Sequence, residues 1–380
     1  MSCPLRPSPL LAAAAAVVLT TALGAATPTA QAVRAAAPDS APDLRLAGRP
    51  GGPVQSATVG LDTRLHPAPS GARTARLSTE PFSMLALTWR GADPGVAVRT
   101  RTGGRWSPWR PVDPLADGRA SDGRTASDLL WVDDSEGVQV RTARPAPDAL
   151  DLVLIDPGVR PGDQVTSRTT STTPRTMLTD SAPKPQLHTR REWGADPSWR
   201  NGEPVYLRNL KQVHVHHTAT GNGYSRADVP GILRGMYRYH TQTLGWFDLG
   251  YNFLVDRFGR AWVGRSGGAD RLVQGAHTLG FNHASVGIAV IGNLDSRQSS
   301  PEAVTTLVKL ASWKLDRHGR YADGKVTVTS SGSDKYPEGT RVRLPAIDGH
   351  RDTNDTACPG LIYDKLPGIR QRAQRRIDRW

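Results

Sequence analysis

A polar stretch at residues 158–186, rich in Thr, Ser, Pro and Arg, separates two different hydrophobic patterns in this chain. On its amino-terminal side, short alternating apolar runs at residues 82–89, 96–101, 138–141 and 150–155 are broken by Gly, Pro and Asp clusters. Alternation with a period of two is typical of strands that bury one face. The pattern therefore predicts a small all-β, sandwich-like domain at residues 76–157, with residues 158–186 as an interdomain linker.

On the carboxyl-terminal side, residues 187–380 alternate between strand-like and helix-like segments. Residues 228–239 and 301–315 carry apolar side chains at helical spacing. The segments VHVHHTAT, YNFLVD and SVGIAVIGN predict strands, the last of them buried on both faces. This alternation indicates an α/β domain, with helices flanking a mixed central β-sheet.

The amino terminus has the features of an export signal. Arg6 precedes an apolar run at residues 10–23, which is shorter than the ~20 residues needed to span a bilayer. An A-x-A pattern ending at Ala32 predicts a signal peptide at residues 1–32 that is cleaved there. Residues 33–75 show no sustained period and predict a flexible lead-in. We therefore expect a secreted or cell-wall-associated protein without a transmembrane segment after cleavage.

Cleavage after Ala32 would remove Cys3 and leave Cys358 as the sole cysteine. An exported chain with one thiol has no internal disulfide, which leaves intermolecular pairing, burial or metal ligation to explain it. His350 precedes Cys358 by eight residues, and on a strand His214 and His216 point to one face. Two imidazoles and a thiolate suit Zn²⁺ and leave a fourth position for water, although spacing alone leaves a structural role open for each residue.

The carboxyl-terminal unit contains six distinctive motifs, which are REWGAD (191–196), HHTAT (216–220), YHTQTLGWFDLGYNFLVDRFGR (239–260), GAHTLGFN (275–282), SVGIAVIGN (285–293) and GHRDTNDTACPG (349–360). Together they resemble the peptidoglycan recognition protein and type 2 N-acetylmuramoyl-L-alanine amidase family. The motifs follow the family's order and cover about half of the chain. The β-rich unit resembles, without specific motifs, the region that precedes this amidase in some actinobacterial secreted proteins.

The resemblance implies a zinc site formed by His216, His350 and Cys358, with His214 packing or supporting it. It also implies that Tyr251 and Thr356 are catalytic residues. Both would stabilise the oxyanion that forms when an amide carbonyl is attacked. Either Tyr251 or a water molecule would act as general acid to the leaving amine.

The resemblance also implies contacts to the substrate. His277 and Asn282 correspond to family positions that line the groove for a muramyl peptide. Arg265 is expected to contact a carboxylate of the stem peptide.

These residues predict zinc-dependent hydrolysis of the amide bond between N-acetylmuramic acid and L-alanine in peptidoglycan. Two alternatives are a recognition protein that binds peptidoglycan without cutting it, and a secreted zinc endopeptidase. In this family the loss of the metal cysteine marks non-cutting members, so the presence of Cys358 favours an N-acetylmuramoyl-L-alanine amidase. The endopeptidase alternative lacks an HExxH motif.

The net charge of +13 is carried mostly by scattered arginines, and a basic run occurs only at residues 370–379. An exported protein meets an anionic cell wall, whose carboxylates and phosphates suit this charge. We therefore expect peptidoglycan and anionic cell-wall polymers as partners, and no nucleic acid. Trp106 and Trp109 are consistent either with stacking on sugar rings or with core packing.

Overall fold

The protein is described here from a computed structural model, which covers residues 41–49, 52–167 and 181–380. The predicted signal peptide at residues 1–32, with Cys3, lies outside the described residues. The middle of the predicted linker lies outside them as well. Within the described ranges, no helix is both long enough and apolar enough to cross a membrane.

In the residues that the structure describes, the amino-terminal domain has twelve strands that hydrogen bond into one sheet. This confirms the prediction of an all-β, sandwich-like domain. The strands are β1 (Ala47–Gly48), β2 (Gln55–Gly60), β3 (Leu65–Pro67), β4 (Ala72–Thr74), β5 (Leu77–Trp89), β6 (Val96–Thr102), β7 (Arg105–Trp106), β8 (Arg110–Pro111), β9 (Pro114–Arg119), β10 (Thr125–Ser127), β11 (Leu130–Thr142) and β12 (Asp151–Asp156).

Strands β1 to β4 lie within residues 33–75, where the sequence pattern predicts a flexible lead-in. The described part of that stretch is therefore structured, and the prediction was wrong there. Each of these strands has six residues or fewer, and β1 and β3 have exposed or half-buried positions throughout. Such short strands cannot produce a sustained alternation, so their pairing with β11 and β12 is visible only in the folded sheet.

The carboxyl-terminal domain has a six-stranded mixed sheet in the order β13-β16-β15-β17-β14-β20, in which only β15 and β16 pair antiparallel. A separate hairpin joins β18 to β19. The strands are β13 (Leu187–His188), β14 (Gln212–His217), β15 (Phe253–Val255), β16 (Ala261–Val263), β17 (Ser285–Val290), β18 (Lys325–Thr329), β19 (Arg341–Pro345) and β20 (Ile347–Gly349).

Helices cover both faces of this sheet, which confirms the predicted α/β class. Successive residues of β15 show the arrangement, since Phe253 and Val255 join the core beneath α3 and α4 while Leu254 joins the core beneath α2. The helices are α1 (Arg190–Trp193), α2 (Asp228–Arg238), α3 (Pro301–Asp316) and α4 (Leu366–Ile377), and a π-helical turn (Tyr239–Thr243) extends α2.

Helix α2 also packs against the amino-terminal domain, so the two domains share one core. Met84 and Ile155 belong to the same buried cluster as Ile232 and Met236 of α2. Gly235 permits this approach, because a Cβ atom at that position would lie 2.2 Å from Sδ of Met84.

The beginning of the predicted linker takes part in the same interface. A 3-10 helix (Pro161–Ser167) carries Asp163, whose carboxylate forms a salt bridge with Arg234 of α2 at 2.7 Å. The Arg234 side chain is fully buried and also donates hydrogen bonds to the carbonyl oxygens of Pro157, Gly158 and Trp193. This described part of the predicted interdomain linker is therefore a 3-10 helix that packs against α2. The acid and its partner lie 71 residues apart in sequence, so no local pattern reveals them.

Candidate metal centre

The centre lies at the carboxyl ends of two adjacent parallel strands. Strand β14 is buried at every position and pairs in parallel with both β17 and β20. The register places Val215 opposite Gly349, so the next residue on each strand is a histidine, His216 or His350. Neighbouring parallel strands end at the same sheet edge, and the two imidazole rings have centroids 4.6 Å apart.

Cys358 completes a buried group of three side chains of the types that bind metal ions. The ligand atoms of His216, His350 and Cys358 all lie within 4.8 Å of one another. The Cys358 sulfur is 3.8 Å from Nδ1 of His216. The three side chains that the resemblance implies as ligands are thus brought together by the fold.

Backbone groups hold the cysteine in this position. The His217 amide N–H donates to the Cys358 sulfur at 3.4 Å. The Arg351 amide donates to the Cys358 carbonyl at 3.0 Å, which closes the loop between the histidine and the cysteine. Backbone N–H groups thus fix both the sulfur and the carbonyl oxygen of Cys358.

His277 lies directly behind His216 and is only 1% exposed. Its Nδ1 atom is 3.1 Å from Nε2 of His216. Gly275 and Gly287 make room for the ring, since a Cβ atom at either position would lie 2.2 or 2.4 Å from it. This placement differs from the groove lining that the resemblance implies, because the ring is enclosed by protein atoms.

Asn282 organises the loop that carries His277. Its Oδ1 atom accepts the backbone N–H groups of His277 at 2.9 Å and of Thr278 at 3.1 Å. The side chain is half-buried, so part of it faces solvent. The two hydrogen bonds that Asn282 accepts therefore hold the backbone of His277 in position.

A second buried histidine supports the centre from the same strand. His214 and His216 share one face of β14, as the strand period predicts, and Nδ1 of His214 lies 2.6 Å from Oδ1 of Asp348. The other carboxylate oxygen of Asp348 accepts a hydrogen bond from Gln212 at 2.8 Å. All three side chains are fully buried. Burial raises the pKa of Asp348, and the nearby His214 opposes that shift.

Tyr251 flanks the histidines on the outer side. Its ring is half-buried, with its centroid 5.4 Å from the centroid of His216. The preceding residue, Gly250, donates its N–H to Nδ1 of the buried His240 at 3.1 Å. His240, which lies in the π-helical turn, therefore anchors the loop that presents Tyr251. It is a supporting residue that sequence reasoning missed, because its role depends on a loop ten residues away.

Thr356 stands at the rim of the centre. Its hydroxyl oxygen accepts the amide N–H of Cys358 at 3.1 Å. A threonine hydroxyl has a second lone pair and one proton, so this contact leaves the O–H group able to donate.

Arg265 lies on the Tyr251 side of the domain and is half-buried. Its guanidinium donates to the Leu249 carbonyl at 2.9 Å and lies 5.2 Å from the ring centroid of Phe247. Burial lowers the pKa of Arg265 to about 10, Asp248 opposes the shift, and the positive charge of Arg190 adds to it. The group therefore remains a cation at neutral pH.

The electrostatics of the centre keep the imidazoles of His216 and His277 neutral. Burial lowers the pKa of His216 well below its ordinary value, and the neighbouring imidazoles lower it further. The pKa of His277 is lowered in the same way, again mainly by burial. Neutral imidazole is the form that binds metal ions.

These observations define an α/β protein with a buried His, His, Cys centre at the carboxyl edge of a mixed sheet. Residues 206–361 match the family model described as N-acetylmuramoyl-L-alanine amidase. Residues 47–184 match the model described as Rv3811 N-terminal galactose-binding domain-like. The carboxyl-terminal domain thus belongs to the peptidoglycan recognition protein and type 2 amidase family, which confirms the resemblance.

Two curated proteins and one solved structure illustrate the similarity. The chain is 28% identical over 181 residues to peptidoglycan-recognition protein SC1a of Drosophila melanogaster, covering 47% of this chain and 83% of the other. It is 35% identical over 128 residues to N-acetylmuramoyl-L-alanine amidase of Homo sapiens, covering 32% and 21%. The solved structure of Drosophila PGRP-LB wild-type matches at 24% identity with a TM-score of 0.38, covering 48% and 92%.

Proposed function

We propose that this protein is a zinc-dependent N-acetylmuramoyl-L-alanine amidase that acts outside the cell. It would hydrolyse the amide bond between N-acetylmuramic acid and L-alanine in peptidoglycan. The observation that carries the proposal is the convergence of His216, His350 and Cys358, whose ligand atoms lie within 4.8 Å of one another.

The chemistry of this donor set fits zinc. Two neutral imidazoles and a thiolate make a three-ligand set of the kind found in catalytic zinc sites, which keep an open position. When bound, zinc would supply Lewis-acid chemistry that polarises a carbonyl group and makes water nucleophilic near neutral pH. The burial of all three ligands supports tight binding, because desolvated donors interact strongly with a cation.

Residues of the chain would supply the remaining interactions. Tyr251 offers a phenol on the outer side of His216, and Thr356 offers a hydroxyl at the rim. Both are suited to donate a hydrogen bond to the oxygen that gains negative charge in the transition state, and each such donor contributes roughly 2.7 to 4 kcal/mol. His277 and Asp348 would hold the two strand histidines, His216 and His214, in fixed orientations.

Digestion of purified cell wall tests the proposal directly. Protein spanning residues 33–380 should release stem peptides with a free L-alanine amine, detected by mass spectrometry, and a chelator should abolish the release. Cuts within the stem peptide would instead identify an endopeptidase. Binding of muropeptide without any cleavage in the presence of zinc would identify a recognition protein and overturn the proposal.

A matched pair of variants links the activity to the centre. Cys358→Ser should lose hydrolysis, whereas Ser333→Ala, which removes a hydroxyl bonded to the Thr353 carbonyl nearby, should keep most of it. Full activity in Cys358→Ser would contradict the assignment of Cys358 as a metal ligand.

A further inference from the structure

The amino-terminal domain carries a concentrated positive face that the proposed reaction does not use. Arg73, Arg76, Arg99 and Arg141 surround Trp106 and Trp109, and we call these six residues the arginine-tryptophan face. Arg73, Arg76 and Arg141 are exposed, while Arg99 and the tryptophans are half-buried. The face therefore presents cations to solvent around a partly buried aromatic base.

Strand register explains why these residues gather on one side of the sheet. Arg141 of β11 pairs with Arg73 of β4 and with Ala97 of β6, and Gln139 pairs with Arg99. Residues paired in register share a face of the sheet. The alternate residues of the same strands, Val98 and Val140 among them, point into the hydrophobic core. One side is thus core, and the other is an array of guanidinium groups.

The tryptophans hold the guanidinium groups in place. Arg99 lies between the two rings, 5.2 Å from the centroid of Trp106 and 5.0 Å from that of Trp109. Arg76 lies 5.5 Å from Trp106, and Arg141 lies 4.5 Å from Trp109. The Nε of Arg99 is also fixed by a 2.9 Å hydrogen bond to Gln139. The array is therefore preorganised.

The positive charges of this face are not neutralised within the described part of the chain. None of its four arginines has a carboxylate oxygen within 4.0 Å there, and the neighbouring Glu136 pairs instead with Arg101 at 3.3 Å. The pKa of Arg99 is lowered by burial and then by the positive charges of Arg76, Arg73 and Arg141. Like charges held together without counter-charges favour an external anion.

A cleft connects this face to the carboxyl-terminal domain. The cleft has a volume of about 460 Å³ and is lined on one side by Arg99 and Trp109. Asn222 and Gly223, which follow the HHTAT motif, line the other side. Trp131 joins the two walls, since its backbone N–H donates to the Thr220 carbonyl at 3.0 Å.

We propose that the arginine-tryptophan face binds an anionic wall glycan, a polymer whose sugar units carry phosphate or carboxylate groups. Planar guanidinium groups bind both anions in a two-pronged geometry. Single-stranded nucleic acid fits less well, because it needs open aromatic platforms for its bases and each ring here already has at least two guanidinium groups against it. The choice of a wall polymer rests on the proposed function, whereas the anion site itself does not.

Binding measurements with defined polymers test this inference. Isothermal titration calorimetry at 50 mM and 200 mM salt would compare teichoic acid, polygalacturonate, neutral dextran and oligo(dT). At least one of the two anionic glycans should bind, weaken at least tenfold at the higher salt, and exceed both dextran and oligo(dT). Equal binding of dextran, or tighter binding of oligo(dT), would overturn the proposal, the latter in favour of nucleic acid.

Matched variants locate the site. Arg99→Gln combined with Arg141→Gln should weaken glycan binding at least tenfold at 50 mM salt. Arg45→Gln combined with Arg343→Gln removes the same charge from exposed positions elsewhere and should change binding less than twofold. Equal weakening in both pairs would show that net charge alone determines glycan binding, which would contradict the assignment of the site to this face. The thermal unfolding transition of each variant shows whether it is folded. If a variant does not fold, the salt and polymer comparisons on the unmodified protein still test the proposal.

Cys358→Ser separates this inference from the amidase proposal. It should bind glycan normally while losing hydrolysis. If the unmodified protein bound glycan but did not hydrolyse cell wall, only the amidase proposal would be contradicted. If it hydrolysed cell wall but did not bind glycan, only the present inference would be contradicted.

Discussion

Nε2 of His216 lies 3.1 Å from Nδ1 of His277, in a pocket that two glycines keep open for the second ring. The hydrogen bond between these rings leaves Nδ1 of His216 directed toward Cys358, at 3.8 Å from the sulfur. A histidine that binds a metal usually has its other nitrogen held by such a partner, which sets its tautomer and orientation.

His277→Ala should therefore lower zinc affinity by about 10- to 100-fold while leaving the fold intact. Competition with a chromophoric chelator measures the affinity directly. His283→Ala is the matched control, since His283 lies in the neighbouring 3-10 turn (Asn282–Ala284) and outside the group of three ligands. An unchanged affinity in His277→Ala would show that the ring only fills space.

Tyr251→Phe should reduce kcat by about 10²- to 10³-fold, because it removes one hydrogen-bond donor from the transition state. Zinc affinity should stay unchanged, since the phenol is not among the three proposed ligands. Tyr321→Phe, at a position that is 72% exposed, provides the control. A loss of zinc equal to the loss of activity would assign Tyr251 a structural role instead.

Asp163→Asn should lower the free energy of unfolding by about 3 to 5 kcal/mol, because Arg234 would keep a buried charge without its carboxylate partner. Urea unfolding followed by tryptophan fluorescence measures the change. Asp270→Asn breaks an exposed pair with Lys184, also close at 2.6 Å, and should cost less than about 1 kcal/mol. Equal effects of the two substitutions would argue against a buried anchor at Arg234.

His240 predicts a specific acid sensitivity. Burial lowers its pKa from 6.5 to about 3, and Arg265 contributes to the shift. The unfolded chain therefore binds the proton more readily, so this group's stabilising effect is complete above pH 6.5 and is lost as the pH falls toward 3. Between pH 7 and pH 5 the loss amounts to about 2 kcal/mol.

His240→Gln removes this titration while keeping an acceptor for the Gly250 amide. The difference in unfolding free energy between pH 7 and pH 5, measured by urea titration with a chelator present, should be about 2 kcal/mol smaller than in the unsubstituted protein. The exposed His66→Gln should leave the difference as it is. If His240→Gln kept the full pH dependence, the acid sensitivity would lie elsewhere.

Local sequence patterns predict the framework of this protein well. The helix expected at residues 228–239 is α2 (Asp228–Arg238), and the one expected at 301–315 is α3 (Pro301–Asp316). Strand β11 was only partly predicted, because Asp133, Asp134 and Glu136 interrupt its apolar alternation within Leu130–Thr142. The period of apolar residues indicates a strand only where one face of that strand is buried, so it does not reveal a strand segment that is exposed to solvent.

Contacts between residues distant in sequence account for what could not be predicted. His277 is a single histidine in a loop, and only the fold shows that it meets His216, 61 residues away. Arg234 occupies a helix position that suits a surface charge, and only the packed interface shows its burial against Asp163. Such partners are set by tertiary packing, which leaves no period in the sequence.

The interface around Arg234 and Met84 also determines whether the two domains would separate after proteolysis between them. Residues 157–163 stay attached to the amino-terminal strands, yet their carbonyl and carboxylate oxygens accept hydrogen bonds from Arg234 in a helix of the other domain. A chain cut anywhere between residues 168 and 180 would keep both sides of this contact. The two fragments should therefore elute together in gel filtration, so an amino-terminal fragment held by a binding partner would still retain the carboxyl-terminal one.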